Sequence, residues 1–215
     1  MKTKSKALLM MLCAVLLVAA SVLGTMAYLT SQDSVTNTFT VGKVALKLDE
    51  AKVNPDGSYV NGHDNRVKAN DYHLLPGHTY FKDPTVTVLQ GSDESYVRML
   101  VTINEQADLD AIFAAEGGLD LSKFFGGISE DWALIGETKN GDDTRTYEFR
   151  YENTVTALEE DVVLDDLFET IIVPGTVTGD QLETIAGLKI DVVAQAIQAD
   201  GFDNADAAWA AFPAE

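Results

Sequence analysis

The sequence predicts a mainly β fold, a β-sandwich carrying short helical insertions and a short C-terminal helix. Three observations lead there. Apolar residues recur at period two in seven or more short runs. Gly, Pro, Asn and Asp turn signals separate those runs. Helical spacing is confined to a few brief stretches. A closed barrel would leave the same pattern, so periodicity alone does not separate it from a sandwich.

The chain opens on Lys2, Lys4 and Lys6, followed by an uncharged apolar run from Ala7 to Leu23. A basic start, a greasy centre and small residues two apart at Thr25 and Ala27 are the plan of a secretory leader. Cleavage is expected between Ala27 and Tyr28, with residues 1–27 as signal peptide. The run is about 17 residues, near the lower limit for a membrane span, so an uncleaved anchor is the other reading.

From Ser34 to Val41 polar and longer side chains alternate, with Val35, Asn37, Phe39 and Val41 in one phase. After Gly42 the apolar phase moves to Val44, Leu46 and Leu48, which marks a bulge or a joint between strands. Asn54-Pro55-Asp56-Gly57-Ser58 is a turn, and the polar stretch to Asp71 reads as loop. Pro76-Gly77 turns again. Thr85 to Leu89 and Tyr96 to Ile103 are strands, the second with Val97, Met99, Val101 and Ile103 on one face.

Leu109, Ile112 and Phe113 place a helix over 107–115, which Gly117-Gly118 ends. A shorter helical piece falls near 122–125. Trp132 to Ile135 and Arg145 to Tyr151 are strands around an Asn140-Gly141-Asp142 turn, with Tyr147, Phe149 and Tyr151 on one face. Phe168 to Val173 is a strand stopped by Pro174-Gly175, and 180–185 is a brief helix. Leu188 to Gln198 is a long strand. Val193 and Ile197 make its second face apolar too, which predicts a central position. Asp203 or Asn204 caps a terminal helix over 205–212.

Composition narrows the function classes. The chain carries 34 acidic against 15 basic residues, a net charge of −19, so nucleic acid and anionic lipid surfaces repel it. The membrane is expected only through the leader before cleavage. The single Cys13 lies inside the leader, which excludes a disulfide framework and CxxC chemistry. Thiol catalysis is excluded for a chain starting at Tyr28.

Gly24-Thr25-Met26-Ala27-Tyr28-Leu29-Thr30 followed by Asn37-Thr38-Phe39-Thr40-Val41-Gly42-Lys43-Val44 resembles the start of the TasA/camelysin family, exported proteins of Gram-positive bacteria. Leu75-Pro76-Gly77-His78-Thr79-Tyr80-Phe81-Lys82-Asp83 looks like that family's Leu-x-Pro-Gly-Asp-x-x-x-Lys, with His78 where an acidic residue is common. The two motifs cover about a third of the chain. The resemblance implies a jelly-roll sandwich, a leader cut by a dedicated signal peptidase of the SipW kind, and a place on the cell surface or in the biofilm matrix. It also implies fibres in which one subunit's N-terminal segment completes the sheet of the next.

The residues support the same picture. Tyr28 to Val41 carries no Lys, Arg, Pro or Gly and only Asp33 as a charge, so it lacks the breakers that keep edge strands apart. Residues 28–48 are therefore read as an N-terminal strand segment able to act as donor, with Val35, Phe39 and Val41 as anchors, and 49–215 as the sandwich. An ordinary first strand pairing within its own domain is the plainer reading. The expected partner is a second copy of this chain, in a homopolymer.

No enzyme chemistry is expected. His63, His73 and His78 include no His-Glu-x-x-His pair, which weighs against a camelysin-type metalloprotease. No Gly-x-Ser-x-Gly elbow occurs. The runs Glu159-Glu160-Asp161, Asp165-Asp166 and Asp142-Asp143 lack a calcium-loop pattern and read as solvated faces. No metal or cofactor is expected. A monomeric surface-binding module, holding glycans on Tyr147, Tyr151 and Trp132, is the alternative function.

Overall fold

The structure, a computed structural model, describes residues 2–26, 42–114 and 117–213. The chain divides into two compact units, residues 1–41 and 42–215. In the first, helix α1 spans Lys2–Met26. Its described apolar side chains, from Leu8 to Val18, are exposed. Among the described residues no helix is long and apolar enough to cross a membrane.

The second unit is mainly β. Its described residues form twelve strands, all paired antiparallel, and four short helices. The largest sheet runs in the order β12 (Ile190–Gln198), β5 (Ser92–Ile103), β8 (Arg145–Tyr151) and β7 (Trp132–Lys139), with β9 (Val155–Ala157) also paired to β5. A four-stranded sheet has the order β10 (Val162–Val163), β4 (Thr85–Val88), β1 (Leu46–Ala51), β2 (Arg66–Val67). A small third sheet joins β3 (Thr79–Phe81), β11 (Thr170–Ile172) and β6 (Phe125–Gly126).

Period two places the core, and the arrangement is sandwich-like. In β5 the residues Val97, Met99, Val101 and Ile103 are buried, and opposite them in β8 so are Tyr147 and Phe149. In the four-stranded sheet Val86 and Val88 are fully buried opposite Leu48 and Leu46. Both sets belong to one apolar core with Leu164, Leu167 and Phe168. Burying such side chains stabilises by about 1.5–3 kcal/mol each, which lets a cysteine-free body hold together by packing.

The helices are α2 (Gln106–Ile112), α3 (Leu121–Phe124), α4 (Gly179–Thr184) and α5 (Ala205–Ala211). Asp120 caps α3, and Asn204 caps α5 through Ala207 N–H. Thr178 and Gln181 form a capping box on α4. The Pro76-Gly77 turn leads into β3, where Tyr80 is fully buried. Its hydroxyl donates to His73 O at 2.8 Å and accepts from Leu75 N–H at 2.6 Å.

One expectation is corrected. β12 is an edge strand, not a central one, since its only strand partner among the described residues is β5. Its second apolar face needs no neighbouring strand. Val193 remains 48% exposed there, while Gln195 on the same face hydrogen-bonds Arg98, whose guanidinium lies against Trp209 of α5.

Candidate functional site

The site is built on the open side of β12. The bonds from Asn104 N–H to Lys189 O and from Ala199 N–H to Glu94 O bracket the β5–β12 ladder. Antiparallel alternation between them turns the backbone groups of Asp191, Val193, Gln195 and Ile197 toward β5. Those of Ile190, Val192, Ala194 and Ala196 face the open edge. The same four residues carry the inward side chains opposite Ile103, Val101, Met99 and Val97. They are only half-buried, whereas their β5 partners are fully buried. Among the described residues, this core face stops half-covered beside backbone that no strand pairs, which is the pattern left where a neighbour strand is lacking.

The opposite edge of this sheet is guarded. β7 has a register shift between Leu134 and Gly136, followed by Glu137 and Lys139. A bulge and edge charges are the usual protection against strand addition. β12 has no bulge against β5, and Ile190 to Gln198 contains no Lys, Arg, Pro or Gly.

A groove of about 1230 Å³ lies beside the first part of β12, from Ile190 to Val193. Ile190 and Val192 of β12 form one wall, Leu48 and Glu50 of β1 the other, with Tyr72 and Leu182 among the apolar lining. On the β1 side Lys68 Nζ donates to Leu48 O, so a flexible ammonium covers part of that rim.

The β1 wall is polar and tightly paired. Lys82 Nζ lies 2.5 Å from Glu50 Oε2, and both residues are buried. Asn70 Nδ2 donates to Glu50 Oε1 and to Ala51 O, each at 2.9 Å, and Asn70 Oδ1 accepts Val53 N–H at 3.0 Å. On the other face of β1, Arg66 bonds Asp49 Oδ1 at 3.0 Å and Asp83 Oδ2 at 2.6 Å. Burial alone would raise the Asp49 carboxyl. Bonds from Lys47 and Arg66 outweigh it and hold the group below its ordinary range.

The expected cleavage residues Ala27 and Tyr28 and the anchors Val35, Phe39 and Val41 lie outside the described residues. Leu46 and Leu48, the end of the 28–48 segment, pair with β4 inside the four-stranded sheet. The aromatic residues considered for glycan contact do not form a surface platform. Trp132 and Tyr147 are each 3% exposed, and Tyr151 packs edge-on against Trp132.

The histidines are scattered on exposed positions. His63 packs on Tyr59 at 4.0 Å, and its Nδ1 is 3.8 Å from Asp83 Oδ2. His73 lines the groove, and His78 sits beside Tyr80. Burial, with Asp83, Asp166 and Glu169 nearby, pushes the Tyr59 phenol up to about 12. Among the described residues no group of three or more His, Cys, Asp or Glu is placed to hold a metal ion.

The groove and the Glu50–Asn70–Lys82 cluster escape a reading of the sequence. The one local signal for the edge is the absence of breakers across 190–198, and it is ambiguous because central strands lack breakers too. No protein-family model, curated protein or solved structure matches the chain.

Proposed function

We propose that this chain is an exported, non-enzymatic structural protein whose copies join by strand donation. Residues 28–41 of one copy add to β12 of the next. The observation that carries this reading is the unguarded β12 edge, with its half-covered inward residues and the groove beside it. The added strand gains main-chain hydrogen bonds with Ile190, Val192, Ala194 and Ala196. Its alternate side chains Val35, Phe39 and Val41 fill the groove, at about 1.5–3 kcal/mol each before ordering costs. A donor on one copy and an acceptor on the next do not close on themselves, so the product is a filament. Holding the donor to the membrane through the leader would delay assembly until a dedicated signal peptidase releases it. The TasA/camelysin resemblance supports the same assignment, with the surface or matrix of a Gram-positive cell as its location.

The test is electron microscopy with size-exclusion chromatography on two chains, one starting at Tyr28 and one at Gly42. Filaments from the first and monomers from the second support the reading. Filaments from both overturn it, as does a monomeric first chain whose own N-terminus fills its groove.

A further inference from the structure

We propose that Lys82 and Asn70 become joined by a side-chain amide bond, with Glu50 as the catalytic proton carrier. The three side chains form one hydrogen-bonded unit. Both oxygens of the Glu50 carboxylate are engaged, Oε2 by Lys82 Nζ at 2.5 Å and Oε1 by Asn70 Nδ2 at 2.9 Å. One carboxylate thus holds an amine nucleophile and the leaving nitrogen of a carboxamide. The carbonyl oxygen of that carboxamide, Asn70 Oδ1, accepts Val53 N–H at 3.0 Å. A backbone donor is therefore already in place where negative charge would develop during attack. Glu50 is 5% and Lys82 7% exposed, so bulk water competes weakly for either group. Burial of the reacting amine with a positioned acid–base partner is the arrangement that nucleophilic lysines require.

The step balances without a co-reactant. Lys82 Nζ attacks Asn70 Cγ, the Nζ–Cγ bond forms and the Cγ–Nδ2 bond breaks. The ammonium of Lys82 gives up two of its three protons. One passes through Glu50 to the departing Nδ2, which leaves as ammonia, and the other remains on Glu50. Nothing is oxidised or reduced. The product replaces a buried ion pair by a neutral amide and a neutral acid, which removes the desolvation cost of two charges. It also closes the 70–82 segment into a covalent loop in a body whose described residues outside α1 contain no cysteine. The inference does not rest on strand donation.

Peptide mass spectrometry of the full chain decides it. An amide on Lys82 stops trypsin there, so the expected product is a single peptide from Ala69 to Arg98. It is lighter than its sequence mass by one ammonia, with fragment ions that place the link at Asn70 and Lys82. Glu50→Gln, folded by circular dichroism, restores the full mass and cleavage after Lys82. A wild-type peptide ending at a free Lys82 with its full mass overturns the proposal. So does an ammonia loss that leaves Lys82 cleavable, because that product is a cyclic imide at Asn70 alone. The wild-type measurement stands by itself if the variant fails to fold.

Discussion

Arg66 reaches across the end of the four-stranded sheet to Asp83, with Nη1 2.6 Å from Oδ2 and Nη2 3.1 Å from the Asp83 carbonyl. Its Nε bonds Asp49 at 3.0 Å. The two carboxylates are 7% and 6% exposed as residues, so one guanidinium balances two buried charges that have little water to turn to. Arg66→Met takes the guanidinium from Asp83 and leaves Asp49 with Lys47 alone, and a loss of about 3 kcal/mol is expected in urea unfolding. Lys at this position recovers little of it, because an ammonium lacks the planar fork that meets both carboxylates.

The same pair predicts a pH dependence. The Asp49 carboxyl is held below its ordinary range in the folded protein, so the unfolded chain binds its proton more readily. The stability that Asp49 contributes is present above the ordinary carboxylate pKa and is lost as pH falls through the folded value. In Arg66→Met this part of the acid limb should weaken. Unfolding midpoints measured across the acid range check it.

Asp166 has the opposite sign. Burial first, then Asp83, Glu169 and Asp165, raise its carboxyl above the ordinary range. Its ionised form is therefore disfavoured in the folded protein, and its contribution is lost as pH rises through the raised value. Asp166→Asn is expected to raise the urea midpoint at neutral pH and to leave it nearly unchanged in acid. An equal shift at both pH values would show that charge is not the cause.

The turn before the long loop should be intolerant of a methyl group. Gly57 has φ +81°, and a Cβ there would lie 2.6 Å from Tyr80 Cα, which is backbone and cannot swing aside. Gly57→Ala combines left-handed strain with that clash and should cost more than about 1 kcal/mol. Gly62 has a similar φ of +82° but open space around it, so Gly62→Ala carries the strain alone. The difference between the two thermal midpoints measures the contact with Tyr80.

α5 is held by a charge over rings. The Arg98 guanidinium carbon lies 4.2 Å from the Trp209 ring centre and 5.1 Å from that of Phe212, and Arg150 Nη1 is 2.5 Å from Asp206 Oδ1. Trp209 is 6% exposed. Trp209→Ala should cost about 3 kcal/mol, whereas Asp206→Ala should change stability by less than about 1 kcal/mol because that carboxylate is exposed. Urea unfolding of both variants checks the contrast.

What the sequence made legible follows from the length of each pattern. In β5 and β8 several same-face residues are in register, and of the expected sets Val97, Met99, Val101, Ile103, Tyr147 and Phe149 are buried while Tyr151 at the strand end is half-buried. The cap of α5 narrows in the sequence to Asp203 or Asn204 because a cap is local, and Asn204 takes the role. Strands of two or three residues, such as β2, β6 and β10, cannot display a period. Their existence is decided by partners distant in the chain. β12 misleads for a different reason. Val193 and Ile197 make both faces apolar, yet whether a strand lies beside it is a matter of topology. The Glu50, Asn70 and Lys82 cluster comes from three separate segments, and no spacing rule brings them together.

Proline placement separates the two sides of β12 in one experiment. The N–H of Ala194 faces the open edge, whereas that of Gln195 bonds to β5 opposite Arg98. Proline removes a donor and is tolerated where the donor faces outward. Ala194→Pro should therefore leave the fold intact, with circular dichroism and elution volume unchanged. It removes one of the hydrogen bonds that an added strand needs and puts a ring into its path, so filaments of a chain starting at Tyr28 should be lost. Gln195→Pro breaks the β5 ladder itself and should lower the melting temperature before assembly is in question. If Ala194→Pro folds and still polymerises as the parent does, the open edge of β12 is not where subunits meet.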